Sequence, residues 1–117
     1  MEPDNLTLGH EKLDVYQRAI EFVAVSSRII SQLPAGYSSL ADQLRRAAVS
    51  IALNIAEGAG KANGSPDAKR FYNIARGSAM ECGAILDSLR VLNVVDEELY
   101  RQGKRLLVRI VSMLVKM

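Results

Sequence analysis

The sequence predicts an all-α fold: an antiparallel, up-down-up-down four-helix bundle that assembles into a homo-oligomer. Three observations lead there. Apolar residues recur at helical spacing through four segments, no segment shows the alternation of a strand, and Pro, Gly, Ser and Asp punctuate the breaks. Connections this short make consecutive helices antiparallel neighbours. A chain of 117 residues is one domain, long enough to bury about two-thirds of the surface its unfolded form exposes.

Residues 1–12 read as a flexible N-terminal arm and residues 13–117 as the bundle. The first helix runs from about Leu13 to Leu33, where Pro34 stops it and Gly36 follows. Val15, Ala19, Phe22, Ile29 and Leu33 form one apolar stripe; Tyr16, Ile20, Val23, Ser27 and Ile30 form a second. Only Asp14, Arg18, Glu21, Arg28 and Gln32 remain as a seam for water. The second helix starts after Ser38 or Ser39, either a good N-cap, and ends near Gly58 and Gly60. Ser65-Pro66-Asp67 opens the third, with Ser as cap, Pro at the first helical position and Asp complementing the helix dipole. Its core stripe is Phe71, Ala75, Ser78, Cys82, Ile85 and Leu89, and it ends near Asn93. Gly77 and Gly83 lie inside it. A mid-helix Gly costs roughly 1 kcal/mol against Ala, so two of them predict close backbone approach at these positions. The fourth helix follows Asp96, with Glu97 and Glu98 in its first turn.

Composition narrows the class. Apolar residues make up 49% and aromatics 5% with no Trp, so the core is aliphatic. Cys82 is the only cysteine, which excludes an intramolecular disulfide and a cysteine-based zinc site. No Glu-x-x-His pattern of a di-iron bundle occurs, and no cofactor is called for. The opening MEPDNLTLGH lacks the basic and apolar regions of a secretory signal, and no run of ~18 apolar residues would span a bilayer. The expectation is a soluble cytoplasmic protein without membrane contact, in which the Asn5-Leu6-Thr7 sequon stays unmodified.

The second helix holds the most distinctive pattern, QLRRAAVSIALNIAEGAGK from Gln43 to Lys61. At ~100° per residue, Arg46, Ser50, Asn54 and Glu57 fall within roughly an 80° sector. Opposite them lie Leu44, Ala48, Ile51, Ala52, Ile55 and Ala59, small and apolar. Val49 and Leu53 interrupt the polar sector, which a purely solvated face would not need. With Arg76 and Glu81 of the third helix, these polar residues read as a structural polar layer or an interface. A catalytic reading, with Glu as base and Arg as anion clamp, has no nucleophile–base pair behind it. Cys82 sits on a core stripe and the sole histidine, His10, lies in the arm, so they do not form such a pair. Gly58-Ala59-Gly60-Lys61 lacks the spacing, the hydroxyl residue and the preceding strand of a phosphate loop. No catalytic or metal site is assigned.

The fourth helix carries the clearest electrostatic signal. From Leu99 to Met117 it has Arg101, Lys104, Arg105, Arg109 and Lys116, and no acid. Arg101, Arg105, Arg109 and Lys116 share a face, with a rise of ~6 Å between successive arginines. Guanidinium groups so placed can meet successive phosphates of a nucleic-acid backbone. Arg101, Lys104, Arg105 and Arg109 are therefore the candidate nucleic-acid-binding residues, with Lys61, Lys69 and Arg70 a potential extension. A solvated basic face near a helix C-terminus is the alternative. The net charge of +2 permits nucleic-acid binding without arguing for it.

QLRRAAVSIALNIAEGAGK, together with RFYNIARGSAMECGAILDSL from Arg70 to Leu89 and the opening Leu13-Asp14-Val15-Tyr16, resembles a bacterial four-helix-bundle family. That family was first noticed in intervening sequences of large-subunit ribosomal RNA genes. The resemblance covers Leu13 to Met117 and implies a cytosolic bundle with no established catalytic site. Some members resemble ring-shaped homopentamers. The family includes the accessory variability protein of diversity-generating retroelements, which binds nucleic acid and a reverse transcriptase through basic surface. What transfers by residue is a structural motif: Arg45, Arg46, Ser50, Asn54 and Glu57, with Gly77, Ser78 and Glu81. The fourth-helix basic residues are read from this chain alone.

The functional expectation is a non-enzymatic homopentamer that binds RNA or DNA backbone through its fourth helix. Its partners would be further copies of itself and a nucleic acid. The alternative is a scaffold for a partner protein with no nucleic-acid role. Helices one, two and three all have apolar surface to spare for the oligomer contact.

Overall fold

Local signals in the chain set most of the helix boundaries. The computed structural model describes residues 6–117 and contains α1 (Asp14–Ser31), α2 (Ser38–Ala59), α3 (Pro66–Val91) and α4 (Glu97–Val115). Residues 1–5, the start of the expected arm, and with them Asn5 of the sequon, lie outside the described residues. The Ser65 hydroxyl accepts the Ala68 N–H at 3.1 Å and the Asp96 carboxylate accepts the Leu99 N–H at 3.0 Å, capping α3 and α4. Asn93, at φ 62°, closes α3 in the left-handed conformation. There Val94 N–H bonds Leu89 O and Asn93 N–H bonds Arg90 O, the paired bonds of a Schellman ending.

One cap differs from expectation. Neither Ser38 nor Ser39 caps α2; Tyr37 takes that place with no side-chain bond, and the helix starts at Ser38 itself. Tyr37 packs against the core, so a tertiary contact sets the start that a serine hydroxyl was expected to set. Ahead of α1, within the expected arm, Gly9–Lys12 forms a 3-10 turn against α1 and α2. Its His10 ring meets Tyr16 edge-on at 4.6 Å.

The helices form a closed cycle in which α1 packs on α2 and α4, and α3 on α2 and α4. Inside it lie Phe22, Ile29, Leu44, Ile51, Ile55, Leu86, Leu89 and Ile110, all fully buried. The α1 core is the stripe Val15, Ala19, Phe22 and Ile29, joined by Val25; on the second stripe Tyr16, Val23 and Ile30 are half-buried while Ile20 and Ser27 face outward. The α3 core is rotated from its expected centre, taking in Ala79 and Leu86 and leaving Phe71 and Ser78 half-buried. Cys82 is fully buried, and desolvation followed by the Glu81 charge pushes its thiol up to about 12. That makes it a packed thiol with little nucleophilic thiolate.

Close backbone approach occurs at different glycines from those predicted. A Cβ on Gly77 would meet nothing within 4 Å, and one on Gly83 would only touch Leu107 at 3.9 Å. The tight positions are Gly58, where a Cβ would lie 2.7 Å from the Tyr72 ring and 3.1 Å from Ala68 O, and Gly103, 2.8 Å from Leu86 Cδ1. Gly58 lets α2 meet α3, while Gly103 lets α4 sit on Phe22 and Val25 of α1. Propensity marks a glycine as costly, but only the packing of a second helix shows which glycine is required. Among the described residues no helix is long and apolar enough to cross a membrane.

Candidate functional site

Two polar regions result, one along the α2/α3 seam and one along α4. In the first, the α2 register sends Ser50 and Asn54 toward α3. Ser50 Oγ and Ser78 Oγ lie 2.9 Å apart, and the Asn54 amide donates to Ser50 O at 2.8 Å and to Ser50 Oγ at 3.0 Å. These three half-buried side chains satisfy one another and tie α2 to α3, as a polar layer does.

The charged residues assigned to the same layer do not join it. Arg46, Glu57, Arg76 and Glu81 are all exposed. Among the described residues Arg46, Arg76 and Glu81 make no ion pair, and Glu57 has only a 3.8 Å contact with Lys61. Their long side chains leave the helices where the seam already faces solvent, so no charge is buried and none needs a partner within the chain. Beside them α2 exposes Leu53 (63%) and α3 exposes Met80 (62%), with Val49 and Ile74 also turned outward.

Along α4 the four candidate cations have separate surroundings. Arg101 bonds Glu97 at 3.0 Å, one turn back, and Glu97 also takes Arg90 at 3.0 Å. Lys104 turns toward α3 and bonds Asp87 at 2.7 Å; Tyr100 OH donates to the same oxygen, also at 2.7 Å. These bonds, Lys104's first, hold the Asp87 carboxyl below its ordinary range, and the bond to Asp87 raises Lys104. Arg109 reaches α1 and meets Asp14 at 3.1 Å. Asp14 also bonds Arg18 at 2.8 Å, and Arg18 pairs in turn with Glu21. Each pair is solvent-exposed on at least one side, worth about 0.2–1 kcal/mol, so it places charge more than it stabilises the fold.

Arg105 stands apart. It is exposed, makes no ion pair among the described residues, and lines a cleft of about 430 Å³ between α1 and α4 with Glu21, Ala24, Arg28 and Gln102. The four candidate residues are thus three internally paired cations and, among the described residues, one unpaired one. Glu97, which pairs Arg101, lies one turn back on α4 itself, but Asp14 and Asp87, which pair Arg109 and Lys104, belong to other helices and do not show in a reading of α4. Nor does Arg28, which on α1 alone is one more residue of a solvated seam.

The residues suggested as a basic extension lie near the α2/α3 connection. Lys61 contacts Glu57 and Asp67 at 3.8 Å, and Arg70 bonds Asp67 at 3.0 Å while its guanidinium covers the Phe71 ring at 4.3 Å. No three His, Cys, Asp or Glu side chains among the described residues converge as a metal-binding set.

Similarity to known proteins follows the fold. A crystal structure from Bacteroides thetaiotaomicron, described as a protein of unknown function from the S23 ribosomal protein family, superposes with a TM-score of 0.78. It is 23% identical, and the match covers 87% of this chain and 95% of that one, so it supports the bundle architecture alone. Comparison with curated proteins finds no match. The family model described as 23S rRNA-intervening sequence protein matches residues 11–116, all four helices included. With the bundle and both central motifs inside that span, the chain belongs to the 23S rRNA-intervening sequence protein family.

Proposed function

We propose that this protein is a non-catalytic, self-associating four-helix bundle, a pentamer in the favoured form, that presents repeated cationic surface to an RNA or DNA backbone in the cytoplasm. The observation that carries the reading is the outward side of α2 and α3. It combines exposed Leu53 and Met80 with exposed charges of both signs, Arg46, Arg76 and Glu81, which make no ion pair among the described residues, and Glu57, whose one contact is Lys61 at 3.8 Å. A surface that is apolar and carries balanced charge suits a second copy of itself better than water. Assembly repeats the α4 cations in every subunit, so contacts that are weak singly act together. The family description, which names an intervening sequence of 23S rRNA, agrees with a nucleic-acid setting.

A second reading, a scaffold for a partner protein, is favoured by the pairing of Arg101, Lys104 and Arg109 within the chain. Light scattering, together with binding of structured RNA and single-stranded DNA across a salt series, separates the two. The proposal expects a mass several times 12.8 kDa and log affinity falling with log salt at a slope of about −3 or steeper. The triple change Arg101→Glu, Arg105→Glu and Arg109→Glu should abolish binding and leave the mass unchanged. An oligomer that binds no nucleic acid even at low salt supports the scaffold. A monomer at micromolar concentration removes the self-association on which both multivalency and the ring depend.

A further inference from the structure

We infer that the nucleic-acid phosphates are held in the α1/α4 cleft by Arg28 and Arg105, and not by the full arginine stripe of α4; this rests on the nucleic-acid reading above. The α1/α4 edge carries Asp14, Glu21 and, on the Gln102/Arg105 face of α4, Glu98, against Arg18, Arg28, Arg105, Arg109 and Lys116. Asp14 pairs with Arg18 and Arg109, and Glu21 pairs with Arg18. Asp14 and Glu21 are thereby engaged, and Arg28 and Arg105, which line the same cleft, make no ion pair among the described residues.

The cleft is shaped to keep them so. Arg28 Nη2 donates to Gln102 Oε1 at 3.3 Å, an uncharged partner that orients the guanidinium without cancelling its charge. Ala24 offers no bulk at the opening, and Gly103 beneath lets α4 approach α1 within contact of Phe22 and Val25. Two forks from neighbouring helices suit a phosphodiester, whose oxygens take bidentate guanidinium bonds and whose charge repeats along the strand. A phosphate at Arg101, Lys104 or Arg109 would first have to compete with a carboxylate already bonded there. At Arg28 and Arg105 it displaces only an amide and water. Glu21, which also lines the cleft, pairs with Arg18, which offsets part of its charge.

The test compares two double variants of the full chain, Arg28→Ala with Arg105→Ala and Arg101→Ala with Arg109→Ala. The probes are a single-stranded RNA 20-mer and a duplex DNA of equal length, titrated across a salt series, with light scattering and circular dichroism to confirm assembly and fold. The first variant is expected to lose at least tenfold in affinity at low salt. Its single-strand salt slope should become shallower by about 1.4 for each subunit engaged, two phosphates at about 0.7 each. The second variant should lose no more than about twofold. Arg28→Lys with Arg105→Lys keeps the charge but not the fork and should fall between. Equal losses in the two double variants, or a loss confined to Arg101 and Arg109, overturn the inference while the nucleic-acid reading stands. Wild-type protein that binds neither probe overturns the reading and the inference with it. Polyglutamate binding abolished by the first variant while RNA binding is unchanged makes the cleft a site for acidic protein, which also overturns it.

Discussion

The outward side of α2 and α3 and the α1/α4 edge contain the same kinds of side chain and use them in opposite ways. On the α1/α4 edge, Asp14 bridges Arg18 and Arg109 across two helices, and Gly103 brings the helices into contact over Phe22 and Val25. Its charges are mostly answered within the chain. On the α2/α3 side, among the described residues, Arg46, Arg76 and Glu81 reach no opposite charge, Leu53 and Met80 lie open, and a Cβ on Gly77 would meet nothing within 4 Å. The difference shows that charge counts do not locate a binding surface. What matters is which charges and apolar groups remain unanswered after the chain has folded.

The largest expected effect breaks the contrast on its open side. Leu53→Glu with Met80→Glu should reduce the particle to the 12.8 kDa monomer in light scattering, with circular dichroism unchanged, because both positions are solvent-facing in the single chain. An oligomer that survives the double change places the contact on another helix.

The next effect is on the closed side. Gly103→Ala puts a Cβ 2.8 Å from Leu86 Cδ1 and 3.4 Å from Phe22 Cε1, both on fully buried side chains that must shift to admit it. Overpacking costs about 1–3 kcal/mol, from which a helix-propensity gain of roughly 1 kcal/mol is subtracted. Chemical denaturation should record a net loss of about 1 kcal/mol.

Gly77→Ala should act in the other direction. With no atom within 4 Å of the added Cβ, the change removes a helix-interior glycine and should stabilise the single chain by up to about 1 kcal/mol. If the same variant weakens the oligomer in light scattering, Gly77 lies in the contact between copies. The two alanine substitutions thus report whether each surface is closed or open.

The smallest effect concerns Asp87. Its folded-state pKa is lowered, chiefly by the hydrogen bond from Lys104 and then by that from Tyr100. The associated stabilisation is present above the ordinary carboxylate range and is lost as pH falls through the lowered value. Lys104→Ala should move the Asp87 titration, followed by carboxyl-carbon NMR, up toward the ordinary range. Stability at neutral pH should change little, since the pair is exposed.

Much of the fold is legible without coordinates. Ser65-Pro66-Asp67, Asp96 and Asn93 mark their helix ends because capping acts over three or four residues. The periodicity of α2 identifies its buried side, Leu44, Ala48, Ile51, Ala52 and Ile55. The start of α2 is the exception, set by a tyrosine packed on the core. The candidate site is less legible. Helical spacing groups Arg101, Arg105 and Arg109 on one helix, and Glu97 one turn before Arg101 is legible beside it, but the pairing of Arg109 depends on Asp14, far along the chain.

What the sequence determines by itself is therefore the local and periodic part: four helices, their ends apart from the start of α2, and which side of α2 is buried. These follow from bonds and packing within a few residues of each position. The tertiary structure alone decides that Asp14 answers Arg109 across 95 residues of sequence, that Ser50 meets Ser78, and that Gly103 but not Gly77 is pressed by a neighbour. The same holds for the meeting of Arg28 and Arg105 in one cleft. Each of these depends on the relative register of two packed helices. That register comes from the whole core, and no single helix contains it.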